Sequence, residues 1–576
     1  MPTLAAMQSN TDLLQSTPDP RRIFTREDLS SAQQLVGHIA AEFMRTEVLP
    51  VVEQIYAKDW PLTRELLLKA GDLDLLRVDI PEAYGGLGLD KVSSAYVGEK
   101  IGIIPSFAGS LGAHTTIGTL PIVYFGNESQ KERYLPKLAS GEMIGAYALT
   151  EPGSGSDALA AATKATLTAD GKHYLLNGQK MWITNGGFAD LFTIFAKVDG
   201  EQFTAFIVER GMGVLSGREE PKLGLDGSST TALILDNVKV PVENVLGKVG
   251  QGHKVAFNIL NLGRLKLGTR NIGSAKQALT RAVRYAVERR QFGRAIAEFG
   301  LIKQKLAEMA VRCYIGDAMV YRTLGDVDRA LEAIDQLDHE RVLKAIEAYA
   351  VECSINKVWT SEALATVVDE SLQVFGGYGY SQEFPAERAY RDARITRIYE
   401  GTNEINRLII TTRLLRKSEL AQVEPATEVL AEATPFISER DLLTRGKRLV
   451  IRLLIRAQHR FGESLANEQE LLGFIADMII ELYAVESGVL RTEKLLLNRD
   501  VVSCATPIDI TRVYASAAFD RFQHAAKQAA NAMLDAGEYG ALISDIRSLS
   551  DQPPFDAVAA RRRIADSVIR AGRYYL

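Results

Sequence analysis

The hydrophobic pattern of the chain changes twice along its length, and the order of these changes limits the fold more than any other feature. Apolar residues recur at helical spacing over about residues 25–145. Short β-rich runs separated by turn residues follow over 146–250, and helical spacing returns over 251–417. We therefore predict an α+β fold that is mainly α: an N-terminal helical domain, a middle antiparallel β domain and a C-terminal helical bundle.

Asparagine-glycine and aspartate-glycine pairs divide the β-rich region into short segments. Such pairs adopt the positive φ angles that two-residue hairpin turns require. Each pair therefore predicts a turn between neighbouring antiparallel strands. The pairs are Asp170-Gly171, Asn177-Gly178, Asn185-Gly186, Asp199-Gly200 and Asp226-Gly227.

A further segment follows the bundle. Residues 418–441 mix Pro, Thr, Ala and Glu without a firm period, which predicts a linker, and 442–576 are predicted to form a helical extension. Like charges repel when they recur every three or four residues on a helix, so a stripe of arginines here predicts an anionic partner or peripheral membrane contact. The alternative is a solvated face paired with nearby acids such as Glu463 or Glu468. The stripe consists of Arg445, Arg448, Arg452, Arg456 and Arg460.

The composition excludes several classes of protein. The net charge of -5 gives no overall attraction to nucleic acid, and three widely spaced cysteines fit neither a disulfide framework nor a CxxC metal site. We expect no metal. The N-terminal residues lack a secretory-signal pattern, and no apolar run approaches the roughly 20 residues of a membrane span. We expect a cytoplasmic protein of bacterial type, or one that is peripheral at the inner membrane.

Three segments carry candidate chemistry, and the first is TEPGSGSD, from Thr150 to Asp157. It places small residues beside two hydroxyls where the β-rich region begins. Exposed backbone N–H groups in such a segment can hold a pyrophosphate. A surface turn is the alternative.

The second segment contains Trp182 and Thr184 on a predicted strand that runs into a turn. An indole there can lie flat against an aromatic ring, and the threonine offers one short hydrogen bond. A tryptophan in the hydrophobic core is the alternative.

The third segment joins a glycine-rich run, Gly376, Gly377 and Gly379, to the motif Tyr399-Glu400-Gly401-Thr402. The glycines permit close approach of the backbone to a ligand. The motif places a carboxylate at a break between two helical segments, where it can act as a base. A solvated glutamate, or a charge at a helix N-terminus, is the alternative.

These segments, in this order, resemble the motifs of the acyl-CoA dehydrogenase family, as shown by ALTEPGSGSD, KMWITNGG, ERRQFG, QVFGGYGY and IYEGTNEINR. The resemblance covers about residues 25–417. The extension, LGAHTTIG and FGLIKQKLAEM make the chain most similar to the long-form, very-long-chain subgroup. The resemblance implies FAD as cofactor, a fatty acyl-CoA as substrate, an electron-transfer flavoprotein as acceptor and a homodimer. An acyl-CoA oxidase and a non-catalytic interaction protein are the alternatives.

The resemblance also implies roles for single residues. Glu400 matches the catalytic base; some relatives carry the base on the helix before an arginine, but that position is Gly263 here. The cofactor contacts implied are Tyr147, Thr150, Gly155, Ser156, Trp182, Thr184, Gly376, Thr402 and Glu404, with Arg289, Phe292, Gln373 and Gly377 acting from the partner subunit. Many relatives carry glutamine at the position of Glu404. The substrate contacts implied are Ser156, Arg264, Tyr399 and Gly401, with Gly109 and Ala113 at a pocket floor where medium-chain relatives carry bulky polar residues. These small side chains predict a deep pocket and a preference for long chains.

Overall fold

The computed structural model describes residues 12–15, 17–335, 338–415, 434–549 and 554–576. Within them the chain forms helices, then a sheet, then helices again, which confirms the predicted order of elements.

The N-terminal region is helical. Its longer helices begin at polar capping residues, because a side-chain oxygen there accepts a hydrogen bond from an otherwise unpaired backbone N–H. Ser30, Asp59, Asp90 and Asn127 each cap a helix in this way. The helices are α1 (Asp12–Gln15), α2 (Ser31–Phe43), α3 (Val52–Tyr56), α4 (Trp60–Asp72), α5 (Lys91–Ile101), α6 (Pro105–Gly112), α7 (Leu120–Phe125) and α8 (Glu128–Ser140).

The middle region is a single sheet with the strand order β6-β7-β3-β2-β4-β5-β8, and β1 pairs with β4. Most pairs are antiparallel, but β1 and β2 both run parallel to β4, so the purely antiparallel prediction was wrong. Turn signals identify only strands joined by a hairpin, and parallel partners are separated in sequence. The strands are β1 (Gly145–Ala148), β2 (Lys164–Leu167), β3 (His173–Thr184), β4 (Leu191–Val198), β5 (Gln202–Glu209), β6 (Leu215–Glu219), β7 (Thr230–Pro241) and β8 (Val245–Leu246).

The turn signals are correct in part. Asp199-Gly200 joins β4 to β5 with φ angles of 53° and 77°, and Asp170-Gly171 joins β2 to β3. Asn177-Gly178 instead lies inside β3, where the pairing with β7 shifts register, so this pair marks a bulge and not a hairpin. A side chain at position 178 would clash with Thr163, because an ideal Cβ on Gly178 would lie 2.5 Å from the Thr163 hydroxyl.

The third region contains the bundle. α9, which is 37 residues long, packs against α10 and α12, and α12 packs against α14. A short hairpin of β9 (Arg290–Gln291) and β10 (Arg294–Ala295) joins α9 to α10. The helices are α9 (Gly252–Glu288), α10 (Gly300–Leu331), α11 (His339–Ala348), α12 (Ala350–Phe375), α13 (Pro385–Ala393) and α14 (Asn403–Leu415).

The extension packs against the bundle and shares one hydrophobic core with it. A buried ion pair joins the two parts, from Arg322 on α10 to Glu486 at 2.8 Å, and Arg491 of the extension pairs with Glu27 of the N-terminal region at 2.6 Å. The first extension helix begins at Ile437, inside the predicted linker 418–441, of which residues 418–433 lie outside the described part of the chain. The helices are α15 (Ile437–Phe461), α16 (Gln469–Asn498), α17 (Ala505–Met533), α18 (Ala536–Ser548) and α19 (Ala557–Ala571).

The arginine stripe lies on α15, and much of it faces α18. Arg452 pairs with Asp545, Arg456 pairs with Glu538 at 2.5 Å, and Arg445 donates to the Ser548 carbonyl at 2.8 Å. The acids come from α18 and not from Glu463 or Glu468, which lie closer in sequence.

In the residues with described placement, no helix has both the length and the low charge that crossing a membrane requires.

Candidate active site

The loop that carries Glu400 connects the short helical turn Arg394–Arg397 to α14. Glu400 and Gly401 both have left-handed backbone conformations, with φ angles of 58° and 80°. This conformation is unfavourable for a glutamate, so other contacts must hold it. The Asn406 side chain donates to the carbonyls of Gly401 and Thr402 at 2.8 and 3.0 Å, and Arg264 Nε donates to the Glu400 carbonyl at 3.1 Å. These contacts therefore fix the backbone at Glu400 and at the two residues that follow it.

The Glu400 carboxylate has unused acceptor capacity. Its Oε2 atom is buried and accepts no hydrogen bond from any residue that the structure describes. Burial raises the pKa of Glu400, while the nearby cations Arg270, Arg264 and Lys357 oppose that rise. A carboxylate with a raised pKa and a free oxygen is suited to accept a proton near neutral pH.

Gly263 on α9 provides the space for this carboxylate. An ideal Cβ at Gly263 would lie 2.6 Å from Glu400 Oε2 and 2.9 Å from Cδ. Both distances are well below ordinary van der Waals contact. A side chain at position 263 and the Glu400 carboxylate therefore compete for one volume.

A chain of polar contacts connects this loop to the extension. Asp477 on α16 accepts from Arg407 Nε at 2.7 Å, and Arg407 NH1 donates to Glu362 at 2.9 Å. Glu362 accepts from the Asn403 side chain at 2.9 Å, and Asn403 in turn accepts from Lys357 Nζ at 2.7 Å. Since Asn403 begins α14 directly after the loop, the extension supports the segment that follows Glu400.

Lys357 is fully buried, and its burial lowers the pKa of its ammonium group to about 7. The sequence reasoning missed Lys357 and Arg270. The only local signal for Arg270 is a charged residue within the small-residue run GTRNIGSA. Asn403 and Asn406, also missed, lie within the motif IYEGTNEINR.

A cavity of about 530 Å³ adjoins the loop and is lined by both Tyr399 and Gly109. Ala113 is buried but does not line it. Arg270 lines the cavity, and an ideal Cβ on Gly112 would collide with its guanidinium. Arg270 therefore occupies the room beside Gly112, and of the two predicted floor residues only Gly109 lines the cavity, so the depth of the pocket stays a prediction.

Comparison with known proteins identifies the family. Four family descriptions match consecutive parts of the chain: "Acyl-CoA dehydrogenase, N-terminal domain" (30–142), "middle domain" (146–238), and two described as "C-terminal domain" (250–415 and 446–548). A "Probable acyl-CoA dehydrogenase" of Bacillus subtilis is 43% identical over 570 residues, which cover 96% of each chain. The chain belongs to the acyl-CoA dehydrogenase family.

Two further comparisons refine this placement. The human "Very long-chain specific acyl-CoA dehydrogenase, mitochondrial" is 38% identical over 467 residues, covering 74% of this chain and 69% of that protein. A crystal structure of an acyl-CoA dehydrogenase complexed with FAD from Bacillus anthracis aligns with a TM-score of 0.95 and 43% identity, covering 99% of this chain and all of that one. The similarity therefore includes the extension as well as the dehydrogenase domains.

The acyl-CoA dehydrogenase motifs of the β domain lie at one end of the sheet. Trp182 is 54% exposed and has a φ angle of 61°, so the alternative of a core tryptophan was wrong. Thr184 ends β3, and the Thr150 carbonyl accepts from the Met181 N–H at 2.8 Å, which brings the first motif beside the second. Ideal Cβ atoms on Gly153 and Gly155 would meet no heavy atom within 4 Å. These segments present open backbone and an exposed indole.

The other residues to which the resemblance assigns cofactor contacts lie elsewhere. Phe292 is 93% exposed at the tip of the β9–β10 hairpin, and the Arg289 guanidinium lies 5.5 Å over the Tyr378 ring. The hairpin is thus adjacent to the glycine-rich turn after α12, where Gln373, Gly376 and Gly377 are exposed. Tyr147 is buried on β1, Ser156 is exposed, and Thr402 and Glu404 flank the start of α14. The structure therefore separates an inner set of motif residues from an outward-facing set.

Proposed function

We propose that the protein is an FAD-dependent dehydrogenase that converts a long-chain fatty acyl-CoA to the trans-2-enoyl-CoA, the first step of β-oxidation, with Glu400 as the base. The buried Glu400 Oε2, which has no hydrogen-bond partner among the described residues, supports this proposal most directly, because it leaves an acceptor free for the α proton. Family membership supports the reaction, and the cavity beside Tyr399 supports an acyl group.

The described residues fit a flat ring joined to a pyrophosphate. Trp182 and Thr184 would hold the ring, the backbone around Gly155 and Ser156 would hold the pyrophosphate, and Thr402 and Glu404 would flank it. FAD supplies the acceptor for the hydride that leaves the β carbon. The exposed set of Arg289, Phe292, Gln373, Gly376 and Gly377 fits a role toward the cofactor of a partner subunit, so we include a homodimer in the proposal.

The protein's own groups act on the α proton. The Glu400 carboxylate takes it, and negative charge then develops on the thioester oxygen. The backbone N–H of Glu400 makes no hydrogen bond to any described residue, so it can donate to that oxygen. Arg264, buried beside the loop, donates to the Glu400 carbonyl and so restrains the peptide that follows the base.

The finer parts of the proposal have separate support. The preference for long chains rests on Gly109 at the cavity wall and on the likeness to the very-long-chain relatives. An electron-transfer flavoprotein as acceptor follows the family expectation, and a place in the cytoplasm follows the likeness to the relative from Bacillus subtilis. The proposal does not include membrane contact through the extension, because three of the five stripe arginines pair with acids on α18 or on α15 itself.

Glu400→Gln tests the base. The variant keeps the size of the side chain and its N–H but cannot accept the proton, so we expect a yellow protein that binds acyl-CoA without bleaching its flavin. Removing a general base typically lowers the rate about 10²- to 10⁴-fold. The measurement is anaerobic flavin reduction by hexadecanoyl-CoA in a stopped-flow spectrometer, with retained flavin absorbance as the control for folding. Reduction at a rate near that of the wild type would exclude Glu400 as the base.

A further inference from the structure

The wall of the cavity formed by α9 is polar. Its residues recur every three or four positions, so they occupy one face of the helix over its central turns. They include Arg270, Asn271, Ser274, Gln277 and Arg281. The facing walls are mostly apolar, with Ile103, Ile104, Leu364, Val368 and Phe375. A simple alkyl chain would satisfy only the apolar walls.

Arg281 marks the far end of this polar wall. It is partly buried and has no hydrogen-bond or ion-pair partner among the residues that the structure describes. Burial lowers the pKa of its guanidinium, which shows that the surroundings disfavour the unpaired cation. A cation in such a place is stabilised by an anion.

The nearby carboxylates do not supply that anion. Asp392 accepts from the Tyr56 hydroxyl at 2.5 Å and from the Leu225 N–H at 2.6 Å. Glu53 accepts from Arg388 at 2.9 Å. Both carboxylates line the cavity and are already engaged, and Glu383, which also lines it, is not paired with Arg281. The guanidinium of Arg281 is thus left available to a ligand.

The position of Arg281 relative to the base sets the reach of that ligand. Arg270 lies near Glu400, since it lowers the pKa of that carboxyl, and it lines the same cavity as Tyr399. Eleven residues of helix separate Arg270 from Arg281, which is about 16 Å along the axis. A long extended acyl group that starts beside Tyr399 can span this length, whereas a short one cannot.

We propose that the cavity takes a long acyl group whose distal end carries a carboxylate, and that Arg281 binds this carboxylate through its guanidinium. The planar guanidinium matches a carboxylate with two parallel N–H donors. The inference rests on the proposed dehydrogenase function and names its substrate class: the mono-CoA thioesters of long dicarboxylic acids.

The test compares hexadecanedioyl-CoA with hexadecanoyl-CoA, which differ only in the terminal carboxylate. In the wild type we expect the ratio of their kcat/KM values to exceed one, and octanedioyl-CoA to show no such advantage over octanoyl-CoA. In Arg281→Met we expect this ratio to fall about tenfold, with hexadecanoyl-CoA still oxidised. Arg284→Met, an exposed arginine on α9 that does not line the cavity, is the matched control and should leave the ratio unchanged.

A binding measurement gives a second readout. In the Glu400→Gln background, where no turnover is expected, calorimetry should show about tenfold weaker binding of hexadecanedioyl-CoA after Arg281→Met or Arg281→Gln. A wild-type ratio below one, or an Arg281→Met ratio within twofold of the wild type, would overturn the inference. Oxidation of hexadecanoyl-CoA alone would leave the proposed function standing, whereas flavin reduction by neither thioester would remove both.

Discussion

Gly263→Ala separates the activity of this enzyme from its stability. The new methyl group would lie 2.6 Å from Glu400 Oε2, whereas an unstrained contact needs about 3.5 Å. The carboxylate must therefore move by about 1 Å. Its backbone cannot follow, because Arg264 and Asn406 hold the loop.

The two effects have opposite signs. Misplacing a reacting group by about 1 Å costs on the order of 10²-fold in rate, or about 2.7 kcal/mol of transition-state stabilisation. Alanine in place of glycine inside a helix favours folding by about 1 kcal/mol. We therefore expect a variant that is about 10²-fold slower yet melts no lower than the wild type.

The assay is anaerobic flavin reduction by hexadecanoyl-CoA, together with thermal unfolding. Gly268→Ala is the control, because it gains the same helix propensity on α9 while its Cβ meets Val320 at 3.3 Å and lies away from the base. We expect Gly268→Ala to react at nearly the wild-type rate. Reduction of the Gly263→Ala flavin within threefold of the wild type would refute the argument that the two side chains share one volume.

Two further substitutions test the electrostatics and the support of the site. Arg270→Met removes a cation that lowers the pKa of Glu400, so the pKa of Glu400 should rise. The acid limb of the pH profile for flavin reduction should then move to higher pH. An acid limb at the same pH as in the wild type would contradict this. Asp477→Asn breaks the ion pair with Arg407 at the outer end of the contacts that support the loop. A partly exposed ion pair contributes about 0.5 to 1 kcal/mol, so we expect the variant to bind FAD about two- to fivefold more weakly. Asp545→Asn, which breaks a pair inside the extension, should retain FAD like the wild type.

The order of the domains could be predicted because it depends on local patterns. Helical spacing and turn residues report on the conformation of neighbouring residues, and both are visible in one sequence. The parallel pairing of β1 with β4 could not be predicted, because it joins strands more than 40 residues apart without a hairpin. The bulge at Gly178 depends on contact with Thr163, which lies 15 residues earlier and outside the turn signal itself.

The candidate site shows the same difference between residues in local motifs and residues brought together by long-range packing. Glu400, Trp182 and Thr184 lie in contiguous motifs, so the sequence identified them. The roles of Arg270 and Lys357 arise from packing between helices that are far apart in sequence. The alternative for the arginine stripe named the wrong acids for this reason: Glu463 and Glu468 are near in sequence, whereas Arg452 and Arg456 pair with acids on α18.

The shared volume between Gly263 and the Glu400 carboxylate also limits where a base can stand in this fold. The resemblance implies that some relatives carry the base on the helix, at the position of Gly263, and not on the loop. In the packing of this chain, carboxylates at positions 263 and 400 would occupy the same space. A relative with its base on the helix should therefore differ from this chain in the backbone of the loop as well as in the residue that carries the charge.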